Sequence, residues 1–353
     1  MSDRGDRRGE APPGLRDGVK SALARWVLQK RRSLLGTPRP GVQDEATHEG
    51  DGRRRFAEDY GFAAAQPDLG LLLRLEWLPG RAAHRLWVML LGEHGAWWLP
   101  PQQTLVTETV VDRWRVGGLA LDCLQPYQRW SVRYAGPLVS PDAAVGAARR
   151  CELQLEFTAG ADPFCPGIDD DPELVARRVG EAHWDRALAT AVRRASQRGY
   201  VQIGRLQGQL ALAHEIRSVD APCLRMHTWG VRDWGAPEHA VQCFVHTGDR
   251  TAWIQRAQFP AFTFEGGFVA ERDVLTCVQS IAQVQHGERE HRLELDAGGA
   301  RHRFAGERGA AVQLRVDGRG AFELTHVVPG TAAGACGLWA RQQRTLPRPG
   351  PVG

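Results

Sequence analysis

Cys151-Glu152-Leu153-Gln154-Leu155-Glu156-Phe157 alternates apolar and polar residues without a break. Successive side chains of a strand point to opposite faces. One face of this segment is therefore apolar and the other wet, as in an antiparallel strand buried on one side. The same reading extends both ways. Upstream, Leu69–Trp77, Arg85–Leu91, Ala96–Leu99, Leu119–Leu124 and Trp130–Tyr134 are rich in Leu, Val and Trp. Gly-bearing turns, among them Gly92–Gly95 and the pair Gly117-Gly118, separate them. Downstream, strands are expected at Tyr200–His214, Arg225–Trp229, Ala240–His246, Trp253–Gln258 and Phe262–Val269. Further strands are expected at Val274–Val284, Arg289–Leu295, Val312–Val316 and Phe322–Val327.

One helix interrupts this series. Asp171-Pro172-Glu173 is a capping start with proline at the first helical position. Leu174, Val175, Val179, Ala182, Leu188 and Val192 continue it to about Ser196. Asp169-Asp170-Asp171 reads as an N-terminal cap on the positive dipole end rather than a metal site. The expected fold is mainly all-β: two lipocalin-like antiparallel β-barrel domains, one long connecting helix and a disordered N-terminal segment. The expected division is a basic segment at 1–55, a first barrel with its helix at 56–198, a second barrel at 199–344 and a tail at 345–353.

The chain has 353 residues, 42% hydrophobic, enough for one large or two medium domains. No apolar run reaches the length of a spanning helix. The start Ser2-Asp3-Arg4-Gly5-Asp6 is not a secretory signal, and its acids do not suit a mitochondrial one. Cysteines 123, 151, 165, 223, 243, 277 and 336 form no CxxC pair and are expected as free thiols in a reducing compartment. The expected location is intracellular, cytoplasmic or peripheral to a membrane. Residues 1–55 carry 13 Lys/Arg and 8 Asp/Glu, a net of +5, which leaves about −1 on the rest of a chain whose total is +4. That balance gives no ground for a nucleic-acid partner. Within the basic segment, Leu15, Val19, Ala22, Leu23, Trp26 and Val27 repeat at helical spacing beside clustered Arg and Lys. An amphipathic helix at Leu15–Leu35 could lie on an anionic membrane or dock on its own domain. Residues 1–13 and 37–55 lack an apolar period and are expected to be disordered.

No phosphate loop, GxGxxG, GxSxG or HExxH occurs, so no cofactor and no metal are expected. His286, His291 and His302 are expected on solvent faces. The concentrated chemistry is at Leu224-Arg225-Met226-His227-Thr228-Trp229-Gly230-Val231-Arg232-Asp233-Trp234. In a strand, Arg225, His227 and Trp229 share one face, and Gly230 allows a bend that re-aims Val231 to Trp234. A satisfied structural network and a ligand site are both compatible with such a set.

This segment, together with Gly117–Trp130, Tyr134-Ala135-Gly136-Pro137-Leu138 and Tyr200-Val201-Gln202-Ile203-Gly204, resembles the N-terminal, non-kinase region of animal phosphoenolpyruvate synthase-like (rifampicin phosphotransferase-like) proteins. More distantly it resembles the double-lipocalin superfamily of carotenoid 1,2-hydratase, tocopherol cyclase and AttH. The family pattern is close to G-x-R-D-H-S-W-G-x-R-D-W; here Cys223, Met226 and Thr228 stand where it has Gly, Asp and Ser. If that Asp is the proton donor of the hydratase and cyclase relatives, Met226 cannot replace it. The multidomain relatives continue into kinase domains, and the chain stops at Gly353, so no phosphotransfer is expected of it.

The expected function is binding of an apolar small molecule, a lipid or isoprenoid, in a barrel mouth, without catalysis. Arg225, His227, Trp229, Arg232 and Trp234 are the expected ligand contacts. Trp87, Trp97, Trp98, Trp130 and Trp253 either line a cavity or pack. One alternative is a hydratase or cyclase on terpenoids, with His227 or Asp233 supplying the proton. Another is a non-catalytic regulatory scaffold. Arg232 is expected to pair with a carboxylate such as Glu215 or Glu265, and Asp233 to sit near the barrel rim with His227.

Overall fold

The computed structural model describes residues 18–26, 41–92, 95–100, 103–107, 112–140, 148–185, 197–331 and 334–345. Two antiparallel sheets make the architecture. The first holds β1 (Phe56–Gln66), β2 (Leu69–Leu78), β3 (Ala83–Gly92), β4 (Gly95–Trp98), β5 (Leu105–Val106) and β6 (Arg115–Val116). It continues with β7 (Leu119–Gln125), β8 (Arg129–Leu138), β9 (Arg149–Ala159), β10 (Arg198–Leu212) and β11 (Glu215–Val231). Its order is β4-β3-β2-β1-β11-β10-β9-β8-β7-β6, with β5 on β3. The sheet curls until Trp98 bridges Val139. The second is a closed eight-stranded barrel in sequence order. Its strands are β12 (His239–Thr247), β13 (Arg250–Gln258), β14 (Thr263–Glu271), β15 (Val274–His286), β16 (Glu290–Ala297), β17 (Ala300–Val316), β18 (Gly320–Val328) and β19 (Cys336–Arg344).

Alternation explains where the cores lie. On β1, Tyr60, Phe62 and Ala64 point into the first sheet, while Ala63 and Ala65 point to a seam shared with the second. The seam core adds Trp87 and Met89 of β3 to Phe244, Trp253 and Phe322 of the barrel. Both faces of β1–β3 are thus buried, which is why Leu69–Leu75 reads as a nearly continuous apolar run. A third core draws on all eight barrel strands. The expected cavity tryptophans Trp87, Trp97, Trp130 and Trp253 are packed into these cores.

Several expectations change. The divide between the sheets falls after Val231, not at 198/199, because β10 and β11 complete the first sheet between β9 and β1. Helix α2 (Pro172–Glu181) begins where expected, with the Asp171 carboxylate accepting from the amides of Glu173 and Leu174. It stops at Glu181, where Ala182 is extended and the Trp184 indole donates to the Val179 carbonyl at 2.8 Å. That side-chain bond satisfies one of the terminal carbonyls a helix leaves open. Residues 186–196 of the expected helix lie outside the described residues. Residues 18–26 form helix α1, held to α2 by Lys20 Nζ on the Ala182 carbonyl at 3.2 Å and an Arg25–Glu173 pair. The rest of Leu15–Leu35 lies outside the described residues.

Residues 41–55 are ordered rather than disordered. A 3-10 turn at Val42–Glu45 lies against the first sheet, its backbone carbonyls at Glu45 and Gly41 accepting from Tyr60 Oη and Tyr127 Oη at 2.5 Å each. The segment has no apolar period because polar groups anchor it. His291 and His302 are buried, not exposed: each is in phase with its strand's apolar face, Leu293 and Leu295 on β16 and Phe304 on β17. None of the seven cysteines forms a disulfide. No helix among the described residues is long and apolar enough to cross a membrane.

Candidate functional site

The β1–β11 register sets Glu58 opposite Trp229, Tyr60 opposite His227 and Phe62 opposite Arg225. On the other side, β10 sets Tyr200 opposite His227 and Gln202 opposite Arg225. Arg225, His227, Glu58 and Tyr60 therefore gather inside the first sheet, under the 41–48 segment. Gly230 has φ 118°, a conformation that favours glycine, and the chain leaves the strand just beyond it.

Two polar clusters share that space. In one, the fully buried Arg225 donates to the two oxygens of Glu45 at 3.1 and 2.6 Å and to Gln202 at 2.9 Å. Trp130 Nε1 donates to Glu45 at 3.1 Å, and Tyr200 Oη donates to its other oxygen. The Arg225 guanidinium also lies over the Trp130 and Tyr200 rings. In the other, Glu58 Oε1 takes His227 Nε2 at 3.0 Å and His48 Nδ1 at 2.8 Å, and the His48 amide also donates to Glu58 at 3.0 Å. Burial raises the Glu58 carboxyl, but the bonds from His227 and His48 outweigh it and hold the group below the usual carboxylate range. Burial lowers His227 below the usual imidazole value, only partly opposed by Glu58. The His227 ring stacks on Tyr60 at 3.8 Å and meets the Tyr200 edge at 5.5 Å, while His48 stacks on Trp229 at 4.0 Å. His227 Nδ1 is buried with no hydrogen-bond partner. Donor atoms of His48, Glu58 and His227 lie within 4.8 Å of one another, so this trio could also hold a metal ion.

The outer face of the same strands carries a separate network. Arg232 donates to Asp59 and, at 2.6 Å, to Glu76, not to Glu215 or Glu265. Those two carboxylates sit elsewhere: Glu265 takes Arg178 and Arg256, and Glu215 lies by Arg217. Arg74 pairs with Asp59 at 2.6 Å, and Arg85 with Glu76 at 2.8 Å. Asp233, expected at the barrel rim with His227, pairs instead with Arg55 and Arg319. Trp234 packs in the seam core. Of the residues expected to form one site, the fold brings Arg225, His227 and Trp229 together and sends Arg232, Asp233 and Trp234 to the seam.

Glu45, His48, Glu58 and Tyr60 were not singled out from the sequence, and Tyr200 entered only as part of the Tyr200–Gly204 segment of the resemblance. Glu58 and Tyr60 had a visible signal, since Phe56, Glu58, Tyr60 and Phe62 share one parity in a strand. Glu45 and His48 had none, because their segment carries no period. Two clefts flank the first sheet. One, of about 320 Å³, is lined by Leu69, Leu90, Trp97, Leu210 and Leu212 with Arg149, Glu215 and Arg217 at its edge. The other, of about 210 Å³, lies at the seam.

The chain belongs to the family described as a domain of unknown function (DUF7064), which matches residues 41–337. No curated protein matches it. Among solved structures it is similar to kievitone hydratase from Nectria haematococca, at a TM-score of 0.49 and 8% identity over 88% of this chain and 94% of that one. CghA gives 0.45 and 11% over 84% and 90%. A putative AttH from Nitrosomonas europaea gives 0.45 and 8% over 85% and 95%. None of these three structures is of a phosphoenolpyruvate synthase-like protein, and the family description carries no such activity.

Proposed function

We propose that this chain is an acid–base enzyme of the hydratase or cyclase type, acting on an apolar unsaturated small molecule, with His227 exchanging the proton. One observation carries the reading: Glu58 holds His227 Nε2 while Nδ1 is enclosed without a partner. An ionised carboxylate that accepts from Nε2 fixes the tautomer and leaves a lone pair on Nδ1. Burial keeps the ring neutral, so Nδ1 is a base at neutral pH and an acid once it has taken a proton. A metal reading fits less well. A ligating histidine nearly always donates its second ring N–H to an acceptor, and Nδ1 has none. Asp233 is the weaker candidate because two arginines already occupy it. Tyr60, Tyr200 and Trp229 supply aromatic walls suited to an apolar substrate. Entry requires the 41–48 segment to move, since it covers the site.

The test is proton exchange. The protein is incubated in heavy water with a panel of unsaturated terpenoids, and deuterium uptake or water addition is read by mass spectrometry. Asp233→Asn should keep the activity, and His227→Gln should lose it by about a hundredfold or more, the usual scale of a general acid–base group. Equal labelling by wild type and His227→Gln overturns the assignment.

A second reading, binding of an apolar small molecule without turnover, is favoured by the leucine-lined 320 Å³ cleft, which falls in the usual range for ligand sites. Native mass spectrometry of the purified protein separates it, since a retained lipid with no labelling activity would support it alone. We also propose that residues 15–35 meet an anionic membrane surface. Val19, Leu23 and Trp26 of α1 are exposed apolar residues beside a basic stretch. Flotation on anionic vesicles should be lost on Trp26→Ala; equal flotation by both forms removes the helix from the argument.

A further inference from the structure

Proton exchange at His227 makes no use of the seam cleft, yet half of the motif opens onto it. Arg232, Asp233 and Trp234 line it with Arg54 and Arg55 before β1, Arg81 and Arg85 around β3, and Arg319 after β17. Six arginines thus face three lining carboxylates, Glu76, Asp233 and Asp317. Each carboxylate is shared by two arginines. Glu76 takes Arg85 and Arg232, Asp317 takes Arg81 and Arg85, and Asp233 takes Arg55 and Arg319. A guanidinium has five N–H donors, so the sharing leaves donors unspent on every arginine. Arg54 has no carboxylate at all among the described residues. The surplus of three positive charges is gathered in about 210 Å³ with Phe56, Leu78 and Trp234 as apolar floor.

We propose that this cleft binds the phosphate or diphosphate group of an organic ester. A surplus of three charges exceeds what one carboxylate would balance, whereas a phosphate ester brings about −1.5 to −2 at neutral pH and a diphosphate more. Arginine suits such groups because its planar fork meets two oxygens at once. The cleft is smaller than the roughly 300–1,000 Å³ of sites that enclose a whole ligand. It therefore takes the head group and the carbon next to it, which rests on the floor of Phe56, Leu78 and Trp234. This site is on the opposite side of the β1–β11 wall from His227, and the inference stands whether or not His227 is catalytic.

The experiment is isothermal titration calorimetry of the full chain with diphosphate, inorganic phosphate and acetate. Saturable one-to-one binding is expected in the order diphosphate, phosphate, acetate, weakening as salt is raised. The double variant Arg54→Gln/Arg319→Gln removes rim arginines and leaves the inner pairs, so it should melt as wild type yet bind diphosphate at least tenfold more weakly. Arg133→Gln, on the far side of the first sheet, should bind as wild type. A second arm compares wild type and the double variant on phosphatidylcholine vesicles with and without phosphatidic acid. A difference there places the phosphate on a lipid; diphosphate binding with no such difference places it on a soluble ester. Absence of saturable binding, acetate binding as tightly as diphosphate, or undiminished binding by the double variant overturns the proposal.

Discussion

The two faces of β11 carry the same kinds of residue to opposite ends. On the outer side, just past the strand's end, Arg232 has Asp59 and Glu76, and Arg74 shares Asp59, so each charge meets a counter-charge. Inward, Arg225 is as fully matched by Glu45 and Gln202, but His227 keeps one nitrogen with nothing to bond. Buried polar groups are nearly always paired, and what sets His227 apart from other buried unbonded nitrogens such as those of His291 is that a carboxylate holds its second nitrogen. The difference also separates what holds the two sheets together from what one of them encloses. The outer network ties the first sheet's wall to the seam, while the inner cluster lies under the 41–48 segment.

The strongest way to break this contrast is to remove one group from each face. Arg232→Ala leaves the Asp59 and Glu76 carboxylates facing one another with Arg74 and Arg85 as remaining partners. Breaking a buried charge network in this way costs roughly 3–5 kcal/mol, against total domain stabilities of about 5–15 kcal/mol. His227→Gln removes a ring nitrogen that had no partner and keeps a donor for Glu58, so its cost should stay below about 2 kcal/mol. Urea denaturation of both variants measures the two. Equal losses would mean that the inner cluster is structural as well, and the functional meaning of the free nitrogen would fall with the contrast.

The sequence made one of these faces legible and obscured the other. Alternation at Cys151–Phe157 and along the later strands was enough for two antiparallel sheets, because a strand wet on one side prints its period directly. The same rule explains the placement of Arg225, His227 and Trp229 on one side of a strand. It could not find their partners. Glu45 and His48 lie in a segment anchored mainly by polar contacts and by the His48–Trp229 stack, and such anchoring has no periodic hydrophobic signature. The divide at 198/199 went astray for a related reason: β10 follows a helix, and nothing local says that it returns to pair with β9 and lies one strand from β1. Arg232's true partners, Asp59 and Glu76, were likewise hidden until β1 was recognised as the neighbour of β11.

The finer test extends the contrast to the second barrel. His291 on β16 is buried with neither ring nitrogen bonded, stacked on His286 at 4.4 Å and on Trp339 at 5.1 Å. Burial, then the neighbouring His286 and Arg308, pushes it from 6.5 down to about 4. His227 moves the same way but has Glu58 to oppose the shift. In the folded state both resist protonation, so between about pH 6.5 and 4 the unfolded chain binds more protons. Stability is therefore fully present above pH 6.5 and is lost as pH falls through that window. For His291 the loss at the bottom of the window is about 3 kcal/mol. Glu58, held below 4.5, adds its own loss only at lower pH. Other buried histidines, His246 and His326, act in the same direction, so the measurement is a difference between variant and wild type. His291→Phe should keep the stack on Trp339 and flatten the pH dependence of the urea midpoint between 6.5 and 4, and His227→Gln should flatten it less. Parallel curves for wild type and His291→Phe would show that the second barrel admits the charged ring, and a steeper effect at His227 would reverse the ranking that Glu58 imposes.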